Sequence, residues 1–412
     1  MALDPLPLAL FALTYLFLAL GRIRGLALDR TGFALLGAVA FLATSRISLA
    51  EAKAAIDAPT LTVLFGMMLL SAQYQLSGLY GAIGERLARV ASPRRLLAGT
   101  IVVAAALAAV LTNDVVCFAL TPLVAAALLR TRLDPVPFLL AIACATNLGS
   151  ALTPIGNPQN ILIAQQLGLG FLPFVAVCAV PALLSLVATY LLLARRLGAR
   201  VDPDVGPGVG PLPRCEPRPE TPPLDRAEAL KAIVLTLVAI VLFLTPTAAH
   251  LTALAVAGVV LTSRRMHTRT MLGLVDWQML ALFVALFVVT RGLELSGWAD
   301  AARDTLAGAG LALDRPAVLV PVVAGLGTVV GNVPAVMLLL RFVPPAPHVG
   351  YALALASTFA GNAVLVGSIA NLIVVEQAAR LGIAISFRDH LRVGLPVTLV
   401  SLTLACLTLL VL

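Results

Sequence analysis

Charge is scarce in this chain. Only 12% of the 412 residues are charged and 60% are hydrophobic, where a soluble domain carries about 25% charged residues. That balance excludes an ordinary globular protein with a solvated surface. Histidine is scarce too. The four histidines, His250, His267, His348 and His390, fall at expected loops or span ends, and no HExxH or GxSxG occurs. The nucleophile and zinc arrangements of the common hydrolases are therefore missing, and a membrane enzyme is disfavoured. No GxxxxGK[ST] loop is present, so any driven process draws on an ion gradient or on a partner ATPase. The five cysteines include no CxxC pair; Cys117, Cys144, Cys178 and Cys406 lie in apolar runs and Cys215 in a polar one. Packing is the ordinary use of such residues. A soft-ligand site near Cys117 and Cys144 is the alternative.

Long apolar runs are abundant. "ALFALTYLFLAL", "AIVLTLVAIVLFL" and "LVSLTLACLTLLVL" recur along the whole chain. Apolar stretches near 20 residues are membrane-spanning helices. The first run has no basic leading region and no small-residue cleavage site, so it is expected to be a retained span. The net charge of +8 would point to nucleic acid in a soluble protein. Here the basic residues sit in short loops and report orientation instead, and no nucleic-acid partner is expected.

The chain divides in two. Residues 195–231 are rich in Pro, Gly and charge, the composition of a flexible linker. The expected division is a first transmembrane repeat over 1–194, a linker over 195–228 and a second repeat over 229–412. The halves resemble each other at a constant offset. "DAPTLTVLFGMMLLSAQYQLSGL" begins at Asp57 and "DWQMLALFVALFVVTRGLELSGW" at Asp276, an offset of 219 (276 − 57). Ser77-Gly78 and Ser296-Gly297 keep that offset, as do Asn113 and Asn332. Chance similarity between apolar segments does not readily give one offset at three separated features. Later, Asn147, Gly156 and Asn160 pair with Asn362, Gly367 and Asn371 at a shorter spacing.

Spans are expected near 6–20, 31–46, 59–77, 136–168 (broken) and 171–194, then near 229–247, 250–263, 277–293, 351–380 (broken) and 391–412. Residues 97–129 have basic sequence at both ends and an apolar interior around "TND", the pattern of a re-entrant hairpin. Residues 316–343 form a second, approaching from the opposite side. The fold class is thus an all-α polytopic membrane protein of two inverted repeats, each with five spans (one broken) and one re-entrant helical hairpin. Positive-inside bias places the linker and the basic loops in the cytoplasm and both termini outside. The setting is the plasma membrane, for a bacterium the inner membrane, with the lipid bilayer as the obligatory partner.

Helix-breaking sequence inside apolar sequence marks the site. "NLGSALTPIGNPQN" and "NAVLVGSIAN" carry Gly, Asn and, in the first, Pro. Irregular backbone at membrane depth is tolerated only where it is buried in protein or lines a cavity. A loop misplaced at the surface is the competing reading, but the flanking apolar arms are long enough for half-spans. The expected ion- and substrate-binding residues are Thr112, Asn113 and Asp114 at the first tip, and Asn147, Ser150, Thr153, Gly156, Asn157 and Asn160 at the first break. Asn332 at the second tip and Asn362, Gly367, Ser368 and Asn371 at the second break complete the set. Hairpin tips expose helix N-terminal amides that attract anions. Asparagine oxygens and freed carbonyls suit sodium. Asp114 is the sharpest candidate, because a carboxylate at bilayer depth is costly. With Asn113 it forms an expected Na+ site, or it carries a proton; capping of the second hairpin arm is its plainer role. Its repeat mate is Val333. Glu376 is expected to pair with Arg380, and Arg291 and Glu294 to reach toward the interface. No Lys or Arg is expected at either tip or break. No cofactor is expected beyond a coupling ion, Na+ or H+.

"TNDVVCFALTPLV", "SALTPIGNPQN" and "GNAVLVGSIANLIV" resemble the ion transporter superfamily, which includes divalent-anion:sodium symporters, citrate carriers, arsenite permeases and D-type sodium/proton antiporters. The resemblance covers both halves. It implies secondary active transport, dimers and an elevator-like motion of the hairpin domain. In the divalent-anion symporters the tips read Ser-Asn-Thr. Here Thr112-Asn113-Asp114 is closer to the arsenite-permease branch, and Gly331-Asn332-Val333 lacks both hydroxyls. Two modes stay open: co-transport of a small inorganic or organic anion with Na+ or H+, and exchange of a cation for protons, with arsenite-type efflux beside them. A channel is disfavoured, since no filter-like repeat is seen.

The orientation has a direct test. Cysteine labelling at the 195–231 linker from the exterior of intact cells is expected to fail; strong labelling there would reverse the topology.

Overall fold

The protein is described by a computed structural model over residues 3–21, 23, 25–131, 133–197 and 222–411. Most of the linker, 198–221 with Cys215, lies outside the described residues, as do Arg22, Arg24 and Arg132 of the basic loops. Every regular element among the described residues is helical. In the first half these are α1 (Pro5–Leu20), α2 (Arg30–Ala43), α3 (Leu49–Ala55), α4 (Ala58–Leu76), α5 (Leu79–Ala88), α6 (Pro93–Val110), α7 (Asn113–Thr131), α8 (Val136–Ser150), α9 (Pro158–Leu167) and α10 (Phe171–Ala194). The second half has α11 (Arg226–Phe243), α12 (Ala249–Leu261), α13 (Thr268–Gly273), α14 (Trp277–Leu295), α15 (Trp298–Gly308), α16 (Pro316–Val330), α17 (Asn332–Leu339), α18 (Pro347–Ala360), α19 (Ile369–Arg380) and α20 (Phe387–Leu409).

The repeat is visible in how the helices begin and end. α4 and α14 share both boundaries at the 219-residue offset (277 − 58 and 295 − 76). Each starts at an Asp whose carboxylate accepts a backbone N–H of its first turn: Asp57 from Thr60 at 3.1 Å and Asp276 from Met279 at 2.9 Å. Such caps satisfy donors that a helix start leaves orphaned. Both helices then stop at a Ser-Gly pair, with Gly78 at φ 72° and Gly297 at φ 79°. Pro at the first turn opens α6, α8, α9, α16 and α18, where its missing N–H costs nothing.

Polar contacts sort the connecting segments onto two faces. On one, Asp4 pairs with Arg46, and the Trp298 indole donates to the Asp4 carbonyl at 2.7 Å. On the other, Asp225 N–H donates to Ser77 O at 3.0 Å, Arg196 to Arg392 O at 2.8 Å, and Ser263 to the Glu228 carboxylate at 2.7 Å. α1 therefore starts on the first face and α11, its repeat mate, on the second. The repeats are inverted. They are also interlocked: α4 packs on α12 and α14 on α2, while α7 packs on α19 and α17 on α9.

Four stretches expected as loops are helical, α3, α5, α13 and α15. α3 is nucleated by a Ser48–Glu51 capping box, and α5 and α15 follow the paired Ser-Gly stops as short helices. The second hairpin is unequal, with 15 residues in α16 and only 8 in α17. α6, α7, α10, α14 and α20 are each long and apolar enough to cross a membrane, and α3 with α4 forms a pair bent by 54° that also qualifies. The broken helices are α8–α9 and α18–α19. The first is unwound over 151–157; the second, over 361–368, contains a 3-10 turn at Leu365–Gly367.

Helices α6 and α8 approach very closely. A Cβ at Gly149 would stand 2.4 Å from both Cα and O of Ala105. Backbone atoms cannot rotate away, so Gly149→Ala is expected to destabilise the protein by about 1–3 kcal/mol through overpacking. Gly258→Ala, where a Cβ meets nothing within 4 Å, is expected to be neutral or slightly stabilising. Thermal unfolding of the two purified variants in one detergent checks the contrast; equal stabilities would remove the α6–α8 contact as a constraint.

Candidate functional site

Each half ends a helix where its apolar sequence meets Asn and Gly. At the first tip, α6 stops at Val110 and extended Leu111 leads to Thr112 and α7. The Asn113 backbone N–H donates to Gly156 O at 3.3 Å, which joins the tip to the first break. Asp114 lies inside the first turn of α7 and is half-buried; it is not the N-cap residue.

The breaks are held by asparagine side chains. Asn160 donates to the carbonyls of Ser150 (3.2 Å) and Thr153 (3.1 Å). Asn371, its repeat mate, donates to those of Gly361 (2.7 Å) and Val364 (3.3 Å). Asn157 caps α9 by accepting Asn160 N–H at 2.9 Å, and donates to the hydroxyls of Ser150 (2.9 Å) and Thr358 (3.1 Å). Thr153 donates to Ala109 O on the hairpin. A Cβ at Gly156 would meet Ser150 O at 2.4 Å. These groups shape the break. Four of the break carbonyls, those of Ser150, Thr153, Gly361 and Val364, already accept from Asn amides.

Asn147 is the hub. Its carbonyl oxygen accepts from Asn113 Nδ2 (3.0 Å) and Ser368 Oγ (3.2 Å), and its amide donates to Asn362 Oδ1 (2.8 Å) and Asn371 Oδ1 (3.4 Å). One side chain thus touches the first tip and the second break, and it stands at the end of α8. All these asparagines are at most 5% exposed.

A cavity of ≈ 60 Å³ lies between the two tips. Of the expected residues, Asn113, Asp114, Asn332, Gly367 and Ser368 line it. Thr112, Asn147, Ser150, Thr153, Gly156, Asn157, Asn160, Asn362 and Asn371 stand behind that wall. Among the described residues three asparagine oxygens, on Asn113, Asn160 and Asn332, are buried without a hydrogen-bond partner, and those of Asn113 and Asn332 belong to cavity residues. Unpartnered buried acceptors are costly and match a ligand that brings positive charge or hydrogen-bond donors.

Sequence reasoning missed Arg30. It stood in an expected inner loop, "GRIRGLALDR", and no Lys or Arg was expected at the tips or breaks. Arg30 instead opens α2 and lines the cavity, because α2 packs on α14 of the other half and brings its first turn beside the second tip. One signal was available: its repeat mate is Ala249, an asymmetry like that of Asp114 and Val333. Gln159 and Pro158, inside the quoted motif, also line the cavity. His390, expected at a span end, is 1% exposed and its Nε2 lies 3.0 Å from Asn362 O. Glu376 pairs with Arg380 at 2.8 Å, and Arg291 pairs with Glu294 at 2.9 Å.

Two inverted helical repeats, with hairpins and broken helices meeting at a cavity that holds Arg30, Asp114 and two asparagines, define a membrane transporter and not an enzyme. Residues 15–351 match the citrate transporter family (CitMHS), and the chain belongs to that family. It is 34% identical over 331 residues to the inner membrane protein YbiR of Escherichia coli K12, covering 79% of this chain and 81% of that one. It is 28% identical over 442 residues to the silicon efflux transporter LSI3 of Oryza sativa subsp. japonica, covering 91% of each. Its fold is similar to the YdaH transporter of Alcanivorax borkumensis, with a TM-score of 0.61 at 16% identity over 98% of this chain and 96% of that one.

The hub makes a prediction. Asn147→Ala removes partners from Asn113, Ser368, Asn362 and Asn371 at once. Each buried group left unpaired costs about 1–3 kcal/mol, so a clear drop in unfolding temperature and loss of transport are expected. Wild-type stability in Asn147→Ala would show the network to be dispensable.

Proposed function

We propose that the protein is a secondary active transporter that moves a small inorganic or organic anion coupled to Na+ or H+. The observation that carries this reading is Asp114 in one cavity with unpartnered asparagine oxygens, between hairpin tips that reach in from opposite faces. Asp114, Asn113 Oδ1 and Asn332 Oδ1 are hard oxygen donors of the kind that suit Na+. A proton on Asp114 is the other way to discharge the same carboxylate. A site flanked by two oppositely directed hairpins opens to either face when the tips move against the surrounding helices. The family's name supports a carboxylate cargo. A second reading, arsenite-type efflux of a small inorganic species, draws support from LSI3, which is named a silicon efflux transporter and matches over 91% of each chain.

We place the protein in the plasma membrane, with the face of Ser77, Asp225 and Arg196 in the cytoplasm. Arg86, Arg89, Arg94, Arg95 and Arg264 belong to segments on that face, as positive-inside bias requires.

Asp114→Asn keeps size and a side-chain hydrogen-bond acceptor but removes charge and titration. Gradient-driven uptake by the purified variant in proteoliposomes is expected to collapse, at least tenfold, with unfolding temperature little changed. Near-normal flux with unchanged ion dependence would remove Asp114 from coupling.

A further inference from the structure

Arg30 has no role in the coupling scheme above, yet it faces the same cavity. Its side chain runs between two glycines: a Cβ at Gly21 would stand 3.6 Å from Arg30 Nε, and one at Gly331 3.5 Å from Arg30 Nη1. Both glycines have positive φ, 71° and 96°, so each turn is kept free of a side chain where the guanidinium passes. Among the described residues Arg30 makes no ion pair. The adjoining turn starts α17, whose first-turn amides on Asn332 and Val333 have no intrahelical acceptor. Nearby, Asn113, another cavity residue, is 5% exposed, and its side-chain oxygen has no hydrogen-bond partner among the described residues.

We propose that Arg30 is the anion-binding side chain of this cavity, and that an oxyanion group seats between its guanidinium and the first-turn amides of α17. The assignment rests on the transporter reading and names its cargo: a carboxylate or an inorganic oxyanion. The planar guanidinium offers paired N–H donors that match either one, and helix-start amides add to them. Asp114 and the oxygens of Asn113 and Asn332 are then left for the cation. Arg30 and Asp114 bring one charge of each sign. A bound monovalent anion and monovalent cation together leave that balance unchanged, a multivalent anion with that cation leaves a net charge smaller than the anion's own, and either ion alone leaves a net charge in a partly buried site. Each ion therefore favours binding of the other, by the same factor in both directions.

The test uses full-length purified protein in detergent. Unfolding temperature is measured against citrate, sulfate and inorganic phosphate as choline salts, with and without NaCl. At least one of these anions is expected to stabilise the wild type; citrate alone indicates a carboxylate cargo, sulfate or phosphate an inorganic one. Arg30→Gln is expected to need at least tenfold more anion for the same shift, while its response to Na+ alone persists. Arg30→Lys, which keeps the charge but not the fork, is expected to fall between them. If Arg30→Gln does not fold, Arg30→Lys decides: a threefold or larger loss supports the assignment and an unchanged response overturns it. The assignment also fails if none of the three anions stabilises the wild type, or if Arg30→Gln answers them as the wild type does. Proteoliposome flux separates the two levels. Absence of any gradient-driven flux in the wild type sinks the transporter reading itself; intact flux and anion response in Arg30→Gln sinks only the role of Arg30.

Discussion

Backbone that leaves a helix inside a bilayer has no water to bond with. Each bare carbonyl or amide there costs several kcal/mol, and the rest of the structure is arranged around meeting that cost. The sequence meets it with asparagine, whose amide donates twice and whose oxygen accepts. Asn160 and Asn371 each close two carbonyls of their own break. Thr153 and the Asn113 backbone then fix the first break to the first hairpin. The asparagines are therefore scaffolding first. Only the oxygens left over after that bonding are available to a ligand, and few remain.

The interlocked packing makes the site a joint product of both halves. α7 leans on α19 and α17 on α9, so each hairpin is supported by the other half's broken helix. Asn147 concentrates that dependence in one side chain, and His390 adds a further clasp on Asn362 from α20. The first tip is joined to both breaks by hydrogen bonds of about 3 Å, directly to Gly156 and through Asn147 to Asn362. That is the kind of contiguous network through which two ligands in one cavity sense each other.

Much of this was legible in the sequence, for physical reasons. Span-length apolar runs, the positive-inside loops and the constant offset from Asp57 to Asp276 are local or periodic signals. They gave the inverted repeats, the hairpins and both breaks within a few residues. The short helices α5 and α15 were less legible, because their mixed composition reads equally as loop. The bonding of the break carbonyls was hidden, since "GNPQN" announces an irregular backbone without saying which amide closes it. Arg30 was hidden for a different reason. Its position depends on α2 packing against α14, some 250 residues away, and no local pattern encodes that. The substitution of Ala249 at its repeat position is the trace that the asymmetry leaves.

A single arginine opposite a single aspartate also sets how the cavity feels the membrane potential. Moving one elementary charge through 100 mV takes about 2.3 kcal/mol. On the Arg30 assignment, the empty cavity is neutral, and so is the cavity loaded with one monovalent anion and one monovalent cation, so neither crosses the field with electrical work. The two singly loaded states carry opposite net charge, and the voltage pushes them in opposite directions. Transport through this cavity would then be electrically silent for one monovalent anion with one monovalent cation, and the chemical gradients alone would set its direction; a multivalent anion would need as many cations as it has charges for the same silence.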